Sequence, residues 1–493
     1  MAIERQSVRH CRHALGAMMF GLGALVLLDN CGSSSDEQEA SAGAPAGGAP
    51  SEAGSNGSAT TGDAGADGGD SALGSSAGEG GVATAGGTAG AAGDMSDTSE
   101  TGGTTSVGYH SVTSSALWSV FDTASLPASA EKFSGSTFDG RYAYFLPESF
   151  GKHQLVRLDT LADFTAPSSW ATFDTTSLAP VASGFGGAAF DGRYVYAAPA
   201  GPLGNSQVLR YDTKQDFASG ASWSTFDATT VTGQSASDST AYEGIGFDGR
   251  FLYFLPGFDG NFVLRYDTHA DFGAKESWSK FDVTLAASGR TGFQGAVFDG
   301  NYLYLLPNSA TYESRPILRY DSRLAFADVA SWSSFETALV SSQAYGFVGG
   351  GFDGRYLYTS PGEDAVGYYG IVMRYDTSAT FTDNKSWSPF KVSSVFPTAT
   401  SAAGAAFDGR YLYLPPKEST LVRYDTLAEF GTGSSWSAFD LSTVNAKARS
   451  FSGALFDGRH VYVIPEINGL VLRFDAKSPS ALPMLPAFSG SFF

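Results

Sequence analysis

A chain of 493 residues with 50 Asp and Glu against 30 Lys and Arg has a formal net charge of −20. That balance excludes a nucleic-acid backbone or an anionic membrane surface as the main partner, since both are held by clustered Lys and Arg. Its two cysteines, Cys11 and Cys31, both lie near the N-terminus, so no disulfide can staple the aromatic-rich remainder and stability there must come from packing.

Arg5, Arg9 and Arg12 precede an apolar run, ALGAMMFGLGALVLL, from Ala14 to Leu28. A basic stretch followed by a short apolar one reads as a secretory signal over residues 1–30, too short for a membrane span. Cys31, with Leu28 three residues before it, resembles the lipobox of bacterial lipoproteins. The resemblance implies a lipidated Cys31 at the mature N-terminus, although Asp29 and Asn30 replace the small residues usual there. An ordinary cleaved signal and an uncleaved anchor are the alternatives. Residues 31–108 are Gly, Ala, Ser and Thr with scattered acids. Such a stretch cannot bury enough apolar surface to offset its conformational entropy, and it predicts a disordered tether.

Residues 109–476 are a repeat, and 477–493 read as a tail. The triplet FDG begins at Phe138, Phe190, Phe247, Phe298, Phe352, Phe407 and Phe456. Each copy has four short apolar pieces, such as GGAAF, RYVYAAP, QVLRYD and SWSTFD between residues 186 and 227. Their aromatic and β-branched content, punctuated by Gly, Pro and Asp, predicts four strands, a to d. Asp-Gly between a and b predicts a two-residue hairpin of type I′, with positive φ at both residues. A proline seven residues after that glycine, from Pro147 to Pro465, closes strand b. The seven tryptophans of the chain fall one per unit, at Trp118, Trp170, Trp223, Trp278, Trp332, Trp387 and Trp436 in strand d.

Four strands per 49 to 57 residues is the period of a propeller. The array opens with a lone d strand, SALWSVFD, and closes with a, b and c strands lacking a Trp, so one blade is split between the two ends of a closed ring. The predicted fold is an all-β, seven-bladed propeller with four antiparallel strands per blade. The a–b hairpin, the Tyr-Asp element of RYD and the d-strand Trp resemble kelch repeats over about 360 residues. The departure is a Leu-Pro or similar pair where kelch has two glycines. The resemblance therefore implies the blade topology only.

Comparing the copies separates two faces. The c-strand Arg to d-strand Trp interval is 13 residues in all six copies that have both, so the a–b and c–d face is uniform. The b–c interval, from Pro to Arg, varies as 10, 11, 9, 12, 13, 7 and 8 residues, and the d–a connection lengthens only before blade 3, from Phe226 to Phe247. Binding groups usually sit on loops held by a rigid scaffold, so blades 3 to 5 on the variable face are the candidate site. The expected ligand-contacting residues are Tyr242, Glu243, Tyr312, Glu313, Arg315, Glu363, Asp364, Tyr368 and Tyr369. Aromatic faces beside carboxylates suit sugar rings or cationic groups. The alternative is that these tyrosines pack on neighbouring blades. An aromatic residue five positions before FDG, present in six blades, also reads as inter-blade packing.

The repeated Asp, Arg and Trp read as scaffold: turn former, strand tie and blade packing. The array has His153, His269 and His460, with His110 just before it, and no cysteine. No zinc, copper or thiol chemistry is therefore expected. Glu148, Glu363, Glu418 and Glu466 form an acidic arc that offers Ca²⁺ binding or the acid and base of a carbohydrate-active enzyme as an alternative function, against a plain solvated rim. The favoured expectation is an exported, lipid-anchored monomer without cofactor. It would bind a glycan or an envelope or extracellular protein non-catalytically.

Overall fold

The computed structural model describes residues 108–148, 153–179, 182–200, 205–234, 242–258, 260–308, 316–362 and 369–478. Cys31 and the signal and tether expectations lie outside them. The described residues form seven four-stranded antiparallel sheets with their strands in meander order. Blade 1 consists of Phe133–Phe138, Tyr142–Pro147, Gln154–Asp159 and Trp170–Asp174. Blade 7 takes strands a to c from Phe451–Phe456, His460–Pro465 and Leu470–Asp475, and its d strand, Trp118–Asp122, from the other end of the array. Trp118 pairs with Phe474 and Asp122 with Leu470, closing the ring.

A clasp lies beyond the expected boundary. Gly108–Tyr109 pairs with Lys477–Ser478, so residues assigned to tether and tail belong to the folded unit. Tyr109 packs edge-on against Tyr411, and the Lys477 amine sits 5.0 Å from the Tyr109 ring centre and 4.8 Å from that of Phe456. Strand c of blade 7 ends, and the Trp118 strand begins, at the c–d side of the blade. The chain therefore enters and leaves the ring on the uniform face.

The repeated residues do their work between blades. The d-strand Phe of each blade stacks on the Trp of the next, with ring centres 4.2–5.3 Å apart, and Phe439 on Trp118 completes the circle. Each Trp indole N–H donates to a carbonyl six residues earlier, in the c–d loop or, for Trp118, in the entry segment, so none of these indole donors is left unpaired. The c-strand guanidiniums of Arg157, Arg210, Arg265, Arg319 and Arg374 lie between two rings, one from their own blade and one from the next, each 4.3–4.6 Å away. The aromatics five before FDG are buried, from Phe133 at 0% to Tyr242 at 3% exposed, which makes them packing residues.

The a–b hairpin differs from type I′. Positive φ falls on the glycine, as at Gly140 with φ 100°, and not on the Asp. Asp139 Oδ1 accepts from the N–H groups of Arg141 and Tyr142, while Oδ2 accepts from the Tyr144 hydroxyl. Asp therefore stands before the turn, and Gly-Arg occupies its centre with positive φ at the first residue only, the type II′ pattern. The Arg after FDG then forks onto the Asp that ends strand c, as in Arg141 to Asp159 at 2.7 Å. Blade 4 has Asn301 in that place, and Arg323 supplies the guanidinium to Asp321 instead, also at 2.7 Å.

These pairs predict acid sensitivity. Hydrogen bonds from the arginines hold Asp159, Asp212, Asp267, Asp321 and Asp376 below the usual carboxylate range, Asp376 at about 2. Depressed folded-state values mean the unfolded chain binds more protons, so this stabilisation is complete above the unfolded carboxylate pKa of about 4 and disappears as pH falls through the folded values. Thermal midpoints should be level from about pH 7 to 5 and drop progressively between about pH 4 and 2. A midpoint that stays level down to pH 2 would show that the pairs contribute nothing.

Candidate functional site

The innermost strands surround a central channel. In six blades the a–b register slips by one residue, between Phe133 and Gly135 in blade 1 and at the equivalent place in blades 2, 3, 4, 5 and 7. A bulge leaves its extra residue unpaired and re-aims it. Those residues are Ser134, Gly186, Glu243, Gln294, Val348 and Ser452, and all six line the channel. Among the described residues Glu243 is the one charged group there.

Two site expectations change with this geometry. Tyr242, expected as a loop surface, is 3% exposed and packs edge-on against Phe254, because it begins strand a and points into the blade core. Burial pushes its hydroxyl pKa up. Glu243, expected as a ligand acceptor on the face, is carried by the bulge onto the channel wall, where it accepts from Asn308 Nδ2. The channel encloses only ≈ 80 Å³. That volume suits a few waters, and it is well below the ~300 Å³ of a small-ligand pocket.

Tyr369 lies on the variable face, half-buried. Its ring meets Tyr345 at 6.3 Å, the Lys391 amine stands 5.8 Å from its centre, and its carbonyl accepts from Ser393 Oγ at 2.8 Å. It thus ties the b–c loop of blade 5 to the following d–a loop. Tyr312, Glu313, Arg315, Glu363, Asp364 and Tyr368 lie outside the described residues. Of the acidic arc, Glu466 is neutralised by Lys417 Nζ at 2.9 Å and accepts from Ser450 Oγ at 2.8 Å. Glu418 lines a shallow depression with Asp440, and Glu363 is not among the described residues. His153 Nδ1 is 2.6 Å from the Ser183 carbonyl. Among the described residues no group of three or more His, Cys, Asp or Glu is placed to hold a metal ion.

A feature of the variable face emerges from the d–a loops. Each d strand is followed by a short helical turn, and in five loops the residue four after the d-strand Phe is Ser or Thr, whose hydroxyl donates back to the carbonyl of the strand's last residue. Ser125, Ser177, Thr230, Ser394 and Thr443 do so at 2.6–2.8 Å. In the loops leaving blades 3 and 4 that residue is Leu285 and Leu339, each 66% exposed. Two adjacent loops thus exchange a satisfied hydroxyl for an aliphatic side chain in water. Both leucines sit in the sector where the b–c loops are longest. The same comparison of internal copies that separates the faces, carried to this position, finds them.

No protein-family model matches this chain, and no curated protein matches it. Solved structures do. A catalytically inactive variant of virginiamycin B lyase from Staphylococcus aureus, with quinupristin, superposes with a TM-score of 0.50 at 14% identity, covering 73% of this chain and 99% of that one. Selenomethionine-substituted virginiamycin B lyase from the same organism gives 0.48 at 13% identity, covering 73% and 98%, and a chain of the mitotic checkpoint complex gives 0.44 at 9%, covering 73% and 94%. At such identity the first likeness is one of fold alone.

Proposed function

We propose that this protein is an exported, lipid-anchored propeller, with blades of the kelch type, that binds a protein partner of the envelope or extracellular space through its variable face at blades 3 to 5. The observation that carries this reading is the exposed pair Leu285 and Leu339, in positions where the other five loops carry a capping Ser or Thr. Exposed aliphatic side chains rimmed by polar loops suit the core of a protein interface. They suit it better than a glycan.

The test replaces both leucines with the residue found in the other loops, Leu285→Ser with Leu339→Ser. Binding to a partner recovered from the envelope fraction should weaken at least about tenfold, the loss expected when an apolar interface core is truncated. The melting midpoint should hold or rise, because the new hydroxyls can make the missing cap. A double variant that binds like the original, or a specific hit on a glycan array that the double variant retains, would refute the reading.

A further inference from the structure

The uniform face carries an independent feature where blade 7 meets blade 1. Strand b begins with an aromatic ring in six blades: Tyr142, Tyr194, Phe251, Tyr302, Tyr356 and Tyr411. Each covers one side of its own blade's c-strand arginine, at 4.0–4.5 Å. In blade 7 the residue is His460, turned toward Asp457 with its Nδ1 3.1 Å from Oδ2. Among the described residues Arg473 keeps the ring of the next blade, Phe164, at 4.5 Å, and it also hydrogen-bonds the Tyr462 hydroxyl. The arginine-to-serine contact made across strands c and d in blades 2, 3, 4 and 6 also has no counterpart between Arg473 and Ser119 among the described residues.

Beside His460 lies a pocket of ≈ 340 Å³, its lining including Ser119, Thr160, Arg459, His460, Arg473 and Asp475. Asp475 is already engaged by Arg459 at 2.6 Å. Asp457 lies against His460, so both nearby carboxylates already have partners, and among the described residues Arg473 makes no ion pair within 4 Å. A guanidinium has five donors in a planar fork that matches a carboxylate or phosphate. We propose that this seam pocket binds a small oxyanion, a carboxylate or a phosphate, with Arg473 as the anchor and His460 as the residue whose smaller ring opens the site.

The repeat itself supplies the test. His460→Tyr restores the residue of the other blades and closes the pocket, so the full chain should fold with an equal or higher melting midpoint. Titration calorimetry and melting curves with sodium phosphate and, separately, sodium acetate at constant ionic strength should show binding by the unaltered chain to at least one of the two, and so identify the preferred oxyanion. The His460→Tyr chain should lose at least about tenfold in affinity, as should Ser119→Glu, which places a like charge on the pocket wall from the outermost strand. The second variant decides if the first does not fold. No response to either anion in the unaltered chain, or unchanged affinity in the variants, would overturn the site.

Discussion

Alanine at Gly244 is expected to cost the ring at least about 3 kcal/mol, the upper end of overpacking penalties, while the same change at Gly453 is expected to cost nothing. Both are the glycine three residues before the FDG phenylalanine, a position that is glycine in all seven blades. A Cβ on Gly244 would stand 1.9 Å from the backbone oxygen of Gln294 in the next blade, and one on Gly295 would stand 2.6 Å from the Cα of Gly349. Around that arc neighbouring innermost strands touch backbone to backbone. A side chain can be accommodated only by parting two blades. A Cβ on Gly453 meets nothing within 4 Å, and its φ is not in the left-handed region. There alanine removes only unfolded-state freedom, which stabilises by roughly 0.4–1 kcal/mol.

At roughly 2 °C per kcal/mol for a domain of this size, Gly244→Ala should lower the melting midpoint by about 6 °C or more, or leave the protein insoluble. Gly453→Ala should match the unaltered chain. Equal effects of the two changes would mean that the ring is symmetric and that the glycine is needed for backbone conformation instead of clearance. The expected asymmetry places the looser contact at the blade 7 to blade 1 seam. The pocket beside Arg473 opens there too.

The features legible in the sequence are those that solve a problem recurring in every blade. FDG, the strand b proline, RYD and the tryptophan recur because each blade must turn, stop, tie its strands and pack on its neighbour, and internal copies substitute for an alignment. The invariant glycine before FDG was equally visible. Glycine within a strand ordinarily reads as weakness, and only the distance to the next blade reveals it as clearance. Glu243 was misplaced for a different reason. It was read as the end of the lengthened loop before blade 3, whereas strand a already begins at Tyr242, and nothing in FSGSTF or YEGIGF announces the bulge that turns the second residue to the channel. The variable face was legible through loop lengths. Its leucines lay in a loop of unchanged length, so length alone passed over them.

Trp118→Ala should be the most disruptive of the seven tryptophan truncations, and different in kind from the others. Any of them removes a buried indole, a stack on the preceding blade's phenylalanine and a bond to a loop carbonyl, a loss on the order of 3–5 kcal/mol. For Trp278 the damaged strand stays covalently tied to its own blade by the c–d loop and to the next by the d–a loop. The Trp118 strand has no covalent connection to blade 7: it is held there by its pairing with Leu470–Asp475, the stack of Trp118 on Phe474, the bonds from Thr123 to the Gly469 carbonyl and the clasp of Gly108–Tyr109 on Lys477–Ser478, with Phe439 of blade 6 on the other side of the indole. Once the indole is gone, that strand can leave as a unit, and strand c of blade 7 becomes an open sheet edge able to pair with another molecule. Trp278→Ala should therefore melt in one transition at a lower temperature and remain monomeric. In Trp118→Ala, hydrogen exchange should accelerate first at residues 118–122 and 470–475 while other blades stay protected, and concentration-dependent dimers should appear through exchange of the freed strand. If exchange rises evenly over all seven blades and no larger species forms, the closing strand is no more detachable than an internal one.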